Sequence, residues 1–157
     1  MTSRIKTLLI FLLSIFITSC ADPEKLDFSS GIFCEESPEV QLKDNLFYYL
    51  NEQVPYSGKN ICIYKNNQYA TQGIIEKGLR HGKQTWWYES GQKWVILYYK
   101  DGKENGLATA WHENGQKMSE INYINGNEDG KGVDWNEDGT IVSETNWKDG
   151  ECISGDC

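Results

Sequence analysis

The sequence predicts an all-β protein, an elongated antiparallel β-meander built from 24-residue β-hairpin repeats that form one twisted or curled sheet. Three observations predict it. Blocks starting at Gly58, Gly82, Gly106 and Gly130 follow one another without insertion, each 24 residues long. Every block carries two turn-forming pairs, at its ninth and tenth positions and at its twentieth and twenty-first. The segments between turns are only long enough for strands, since turns recur every 11 to 13 residues.

The register is kept by residue type. The sixth position is Ile63, Trp87, Trp111 and Trp135, and the eighteenth is Ile75, Tyr99, Tyr123 and Trp147. The first turn pairs are Asn66-Asn67, Ser90-Gly91, Asn114-Gly115 and Asp138-Gly139, and the second are Lys77-Gly78, Asp101-Gly102, Asn125-Gly126 and Asp149-Gly150. Asn-Gly and Asp-Gly are preferred at the centre of two-residue type I′ hairpins, where both residues need positive φ. Asn67, where glycine is missing, is of a type that tolerates this geometry. Two-residue turns throughout place the sixth position opposite the thirteenth, pairing Trp87 with Trp94, Trp111 with Met118, Trp135 with Val142 and Ile63 with Ala70. Such pairs contribute about 0.2–1 kcal/mol each. Without a bulge, strand alternation then sends the eighteenth position to the opposite face.

The elements preceding the array follow in chain order. Residues 1–19 combine Arg4 and Lys6 with the apolar run Leu8–Ile17, too short to be read as a membrane span, and end in "ITSC". This resembles the lipobox of bacterial lipoproteins, which implies acylation of Cys20 and attachment to a membrane through the acyl groups. Ala21 after that cysteine lacks the usual aspartate retention signal, which favours the outer membrane of a two-membrane bacterium. An ordinary signal peptide or an N-terminal anchor helix would also export the remainder. Residues 20–37 lack periodicity and form a tether. Residues 38–57 form an irregular hairpin with Asp44-Asn45 and Asn51-Glu52 as its turns, and Pro55 suits an edge or a strand end. The four repeats occupy 58–153, and 154–157 is a C-terminal tail.

Charge and cysteines bound the partners. Loss of the leader takes the net charge from −8 to −10, because residues 1–19 contain two bases and no acid. A chain this acidic is repelled by phosphate backbones, so nucleic acid is not an expected partner. With Cys20 assigned to lipid, Cys34, Cys62, Cys152 and Cys157 remain, an even number in an exported chain. They suit two disulfides in one of three connectivities, or four free thiols. Contacts confined to neighbouring repeats favour Cys34–Cys62 and Cys152–Cys157, since neither bond crosses the array.

Candidate chemistry is weighed against the repeat. The stretch "HENGQ" lacks the second histidine of a zinc-protease motif, and His112 is replaced by Tyr64, Tyr88 and Asn136 in the other blocks. Glu89, Glu113 and Glu137 recur immediately before a turn, as an acidic flank that pairs with lysines such as Lys93 or Lys117. The segment Asn125–Gly132 is the nearest approach to a calcium loop and lacks its ligand density. No catalytic residue, metal site or cofactor is expected. Trp86, Trp94, Tyr98 and Tyr99 concentrate aromatic side chains beyond what the repeat requires and are the candidate binding surface, with core packing as the alternative.

The stretches "WWYESGQK", "AWHENGQK" and "DWNEDGTI", followed by "YYKDGK", "NYINGN" and "NWKDGE", resemble the MORN-repeat variant from about Val54 to Ile153. That resemblance implies a β-hairpin scaffold for protein or lipid contact. It also implies kinship with the YwqK-type antitoxins of toxin–antitoxin systems, and the first block, without tryptophan and with Asn67 for glycine, is expected to act as a cap. The expected function is a lipid-anchored, non-enzymatic envelope scaffold that binds a protein partner. An antitoxin or immunity-like protein masking a toxin is the alternative, and a carbohydrate-binding or hydrolytic protein is a third.

Overall fold

The computed structural model describes residues 40–49 and 52–157. The leader, the tether with Cys20 and Cys34, and Asn51 lie outside the described residues.

An N-terminal hairpin of β1 (Val40–Lys43) and β2 (Leu46–Tyr49) forms a small sheet of its own. Its turn is the expected Asp44-Asn45 pair, at φ 51 and 61. Pro55 makes an isolated bridge to Tyr48, a place that needs no ladder donation from proline. This hairpin is tied to the first repeat turn: Phe47 donates its N–H to the Gly78 carbonyl at 2.9 Å, and Gly78 donates to Tyr56 at 2.7 Å. The Arg80 guanidinium lies 5.5 Å from the Phe47 ring centroid and 5.7 Å from that of Tyr99, linking hairpin and array through two cation–π contacts.

The array is one open antiparallel sheet. Its strands are β3 (Gly58–Ile63), β4 (Tyr69–Glu76), β5 (Leu79–Trp87), β6 (Lys93–Lys100), β7 (Lys103–Glu104), β8 (Gly106–Trp111), β9 (Lys117–Ile124), β10 (Asn127–Glu128), β11 (Gly130–Trp135), β12 (Ile141–Lys148) and β13 (Glu151–Gly155). They run as a meander in chain order, with β7 and β8 both on β6 and with β10 and β11 both on β9. The all-β repeat meander read from the sequence is the fold found.

The second turn of each repeat has the expected geometry. Lys77-Gly78, Asp101-Gly102, Asn125-Gly126 and Asp149-Gly150 all lie at positive φ, with the flanking residues paired, as Lys100 is with Lys103. The first turn differs from the expected two-residue form. Only its tenth position is left-handed: Asn67, Gly91, Gly115 and Gly139 have φ of 65, 87, 86 and 82. Gly91 donates to the Tyr88 carbonyl at 2.9 Å and Tyr88 donates to the Gln92 carbonyl at 2.8 Å, and the same pair of bonds recurs in the other repeats. This is a type I turn closed by a left-handed residue, one residue longer than predicted.

That extra residue moves the register. Trp87 pairs with Lys93, Trp111 with Lys117, Trp135 with Ile141 and Ile63 with Tyr69, and a bulge follows in each hairpin. The predicted partners Trp94, Met118, Val142 and Ala70 are the bulged residues. A bulge breaks alternation, so Trp94 and Met118 pack against the same cluster as Tyr99, Tyr123 and Trp147 rather than on the opposite face.

The core lies on one side of the central strands. Trp86, Val95, Leu97, Tyr99, Ala108, Ala110, Ile121 and Tyr123 are buried together, flanked by Trp94, Met118 and Trp147. A second register offset occurs at the repeat junctions. Tyr99 faces Glu104 but Ile96 faces Thr109, so two extra residues are accommodated near Asn105-Gly106. Gly106 there has φ 127, and its equivalents Gly82 and Gly130 have φ 63 and 100. Such irregularities bend a strand and increase its local twist.

At the far edge, Cys152 and Cys157 are disulfide-bonded with Cα atoms 5.8 Å apart, the pairing that neighbour contacts favoured. Asp156 holds the tail to β12 by donating its N–H to the Glu144 carbonyl and accepting the Glu144 N–H at its carboxylate, both at 2.9 Å. Cys62 on β3 is also disulfide-bonded. The expected partner, Cys34, is outside the described residues.

Burial separates otherwise similar side chains. Ile121 is 1% exposed and Ile141 is 56% exposed. Ile121→Ala is expected to lower the unfolding free energy in urea titrations by about 2–5 kcal/mol, and Ile141→Ala by no more than about 0.5 kcal/mol.

Candidate binding surface

In the first three repeats the side chain at the seventh position reaches into the next repeat. Tyr64 donates its hydroxyl to the Trp87 carbonyl at 2.7 Å, and Tyr88 donates to the Trp111 carbonyl at 2.8 Å. His112 Nε2 stands 2.8 Å from the Trp135 carbonyl, a contact in which the carbonyl accepts and the ring nitrogen carries the proton. His112 is therefore neither an isolated variable residue nor part of a reactive pair, because it does the work of a tyrosine. In the last repeat Asn136 bonds within its own turn, to Thr140 Oγ1 at 3.1 Å.

Two further ties repeat at the same edge. Asn66 and Asn114 each donate to the carbonyl of the turn glutamate one repeat on, Glu89 at 2.8 Å and Glu137 at 2.7 Å. The glutamine after each turn lies over the next turn's glycine. A Cβ on Gly91 would stand 3.0 Å from Gln68 Oε1, and one on Gly139 would stand 2.6 Å from Gln116 Oε1. Glycine serves there for its positive φ, since the tip of a glutamine side chain can give way to a Cβ.

These contacts fix the sixth-position tryptophans of the last three repeats, half-buried, on the face opposite the core. Two of them are met by the twelfth-position side chain of the repeat before. Tyr69 lies 5.7 Å from the Trp87 ring, and the Lys117 ammonium lies 5.6 Å from the Trp135 ring. Between Trp87 and Trp111 a shallow groove of about 300 Å³ remains, lined also by Gly91, Gln92, Lys93 and Gly115. The exposed carboxylates of Glu89, Glu113 and Glu137 stand at the turns beside this row. Lys117, expected to pair with a turn glutamate, instead pairs with Glu120 at 2.6 Å.

The four aromatic residues singled out in the sequence are not brought together on one surface. Trp86 and Tyr99 are 3% and 8% exposed, Trp94 packs on the core, and only Tyr98, at 42% exposure, faces solvent, on the other side of the strand. The accessible row of Trp87, Trp111 and Trp135 is visible in the sequence as a repeat, but the bulge that separates it from the core aromatics leaves no mark in residue type. The hydrogen-bonding seventh position did leave one: every occupant, Tyr64, Tyr88, His112 or Asn136, carries a side-chain donor.

Among the described residues, no group of three His, Cys, Asp or Glu converges to hold a metal ion. Asp129, in the segment nearest a calcium loop, pairs with Lys148 at 2.7 Å. That hydrogen bond, ahead of the lysine's charge, lowers the Asp129 pKa below the ordinary carboxylate value. Burial raises the hydroxyl pKa of Tyr64, aided by the Glu89 charge. Burial likewise raises that of Tyr88, aided by Glu113 and Glu137. Both phenols therefore stay protonated as donors.

Fold and surface together define an open β-hairpin repeat protein that displays an aromatic row along one edge of its units. Residues 80–101 and 104–125 match the MORN repeat variant family. These two segments contain the two repeats with the fullest set of tryptophan, glycine and glutamine. No curated protein matches the chain.

The inter-repeat ties have a pH signature. The folded state keeps Tyr64 and Tyr88 protonated above the pH at which the unfolded chain releases those protons. Their contribution is complete below about pH 10 and is lost as pH rises through the raised folded values. Tyr88→Phe is expected to cost about 1 kcal/mol at neutral pH, leaving the Trp111 carbonyl without its donor. It should also flatten part of the alkaline decline, as read by urea unfolding at several pH values.

Proposed function

We propose that this protein is a non-enzymatic scaffold that binds a protein partner along the Trp87, Trp111 and Trp135 row. One observation carries the reading: successive repeats hold these indoles half-exposed over glycine-lined turns while Trp86, Tyr99 and Tyr123 fill the core. Interface centres are enriched in tryptophan, and residues held by backbone hydrogen bonds lose little freedom on binding. A row on regular strands of one sheet is preorganised, as a contact surface should be. The lipobox resemblance supports attachment to the bacterial envelope through acyl groups on Cys20, so that the array projects from a membrane on the tether of residues 20–37. A toxin as the masked partner is the narrower form of this reading and draws on the family resemblance.

Trp87→Ala combined with Trp111→Ala is expected to abolish capture of a stoichiometric partner from solubilised envelopes while the circular dichroism spectrum stays native. Capture that survives the double variant would move the site elsewhere. Cys20→Ala should release the protein into the soluble fraction of cell lysates, and retention in membranes would remove the lipid anchor from the proposal.

A further inference from the structure

Resting on the scaffold reading, we infer that the row takes a basic, proline-rich segment in the polyproline II conformation, lying across the strands. Its proline rings seat on the Trp87–Trp111 groove and its cationic side chains face Glu89, Glu113 and Glu137.

The spacing argues for this conformation. Each repeat contributes two strands, so equivalent positions recur about 9.5 Å apart across the sheet. A polyproline II helix advances about 9.3 Å in three residues, and its threefold symmetry returns every third side chain to the same side. A β-strand ligand of three residues covers about 10 Å, but its odd step turns the third side chain away. Of these two extended ligands, only the threefold one presents one face to successive tryptophans.

The shape of the groove agrees. It is open, about 300 Å³, with indoles at Trp87 and Trp111 and with glycines at Gly91 and Gly115. That suits a single ring and the backbone beside it, in the manner of aromatic grooves that recognise preformed proline-rich helices. Two of the three indoles already carry a neighbour from the chain itself, Tyr69 on Trp87 and Lys117 on Trp135.

Charge selects among proline-rich ligands. The turns flanking the row carry exposed Glu89, Glu113, Glu137 and Asp138, and the Asp138 pKa is lowered by hydrogen bonds from Thr140. The opposing charges on this edge are Lys65 at the first turn, Lys93 in the groove and Lys117, whose ammonium is paired with Glu120. In a chain of net charge −8, the rim favours a cationic segment over an acidic one.

The test titrates the full-length protein, in detergent, with a peptide of four Arg-Pro-Pro triplets and follows binding by calorimetry. Glu-Pro-Pro and Arg-Gly-Ser peptides of equal length serve as controls. The Arg-Pro-Pro peptide is expected to bind at least about tenfold tighter than either control, and more weakly as salt is added. Trp111→Ala should weaken it by about thirtyfold and Glu113→Lys by about fivefold, with Tyr98→Ala unchanged. Equal binding of Glu-Pro-Pro would overturn the basic ligand, and equal binding of Arg-Gly-Ser would overturn the polyproline II conformation. Absence of binding by all three would overturn the inference, while partner capture that still depended on Trp87 and Trp111 would leave the scaffold reading in place.

Discussion

The left-handed residue that closes the first turn of each repeat, Asn67, Gly91, Gly115 or Gly139, sets how the two strands of the hairpin meet. A turn with one such residue is longer by one than a turn with two, and the surplus reappears as a bulge three residues later. The bulge sends Trp94 and Met118 inward to the cluster around Val95, Leu97 and Ile121. It also leaves Trp87 and Trp111 on the other face, beside Lys93 and Lys117. The separation of the aromatics into an interior set and an accessible set thus depends on one backbone conformation, repeated at each unit.

The two edges of the array are organised differently because their turns differ. At the two-residue turns, backbone carries the stacking: Gly102 donates to Arg80, Gly126 to Glu104 and Gly150 to Glu128. At the longer turns, side chains carry it, through the tyrosine or histidine bond to the next tryptophan carbonyl and the glutamine lying on the next glycine. Side-chain ties vary with sequence, whereas backbone ties do not. The edge that bears the tryptophan row is therefore also the edge whose character can change from unit to unit without disturbing the sheet.

Much of the architecture was legible in the residues. A 24-residue register and paired turn residues sufficed for strand order and for the type I′ turns, since Asp101-Gly102 and Asn125-Gly126 state their geometry in their composition. The first turn was not legible in the same way. Asn114-Gly115 is as good a type I′ centre as Asn125-Gly126, yet Asn114 stays at negative φ and uses its side chain to accept the Gln116 N–H at 2.9 Å. Local asparagine bonding of this kind competes with the type I′ geometry, and dipeptide identity does not report which prevails. The misplaced register carried the surface prediction with it. Trp86 and Trp87 are neighbours of identical chemistry, and only the pairing frame decides which is buried. His112 was hidden differently, because one imidazole among tyrosines looks like an exception until its Nε2 is seen to replace a phenol hydroxyl.

An open sheet is also a template, because an unpaired edge strand presents donors and acceptors that another chain can adopt. At β13 the register breaks between Asn146 and Trp147, the Cys152–Cys157 bond draws the tail back, and Asp156 is bonded to Glu144. A twisted, tied-off border offers an incoming strand no straight run to copy. This short covalent loop is one of the devices that blunt an open sheet edge. Its reduction would matter less for the fold of the repeats than for keeping one molecule from continuing into the next.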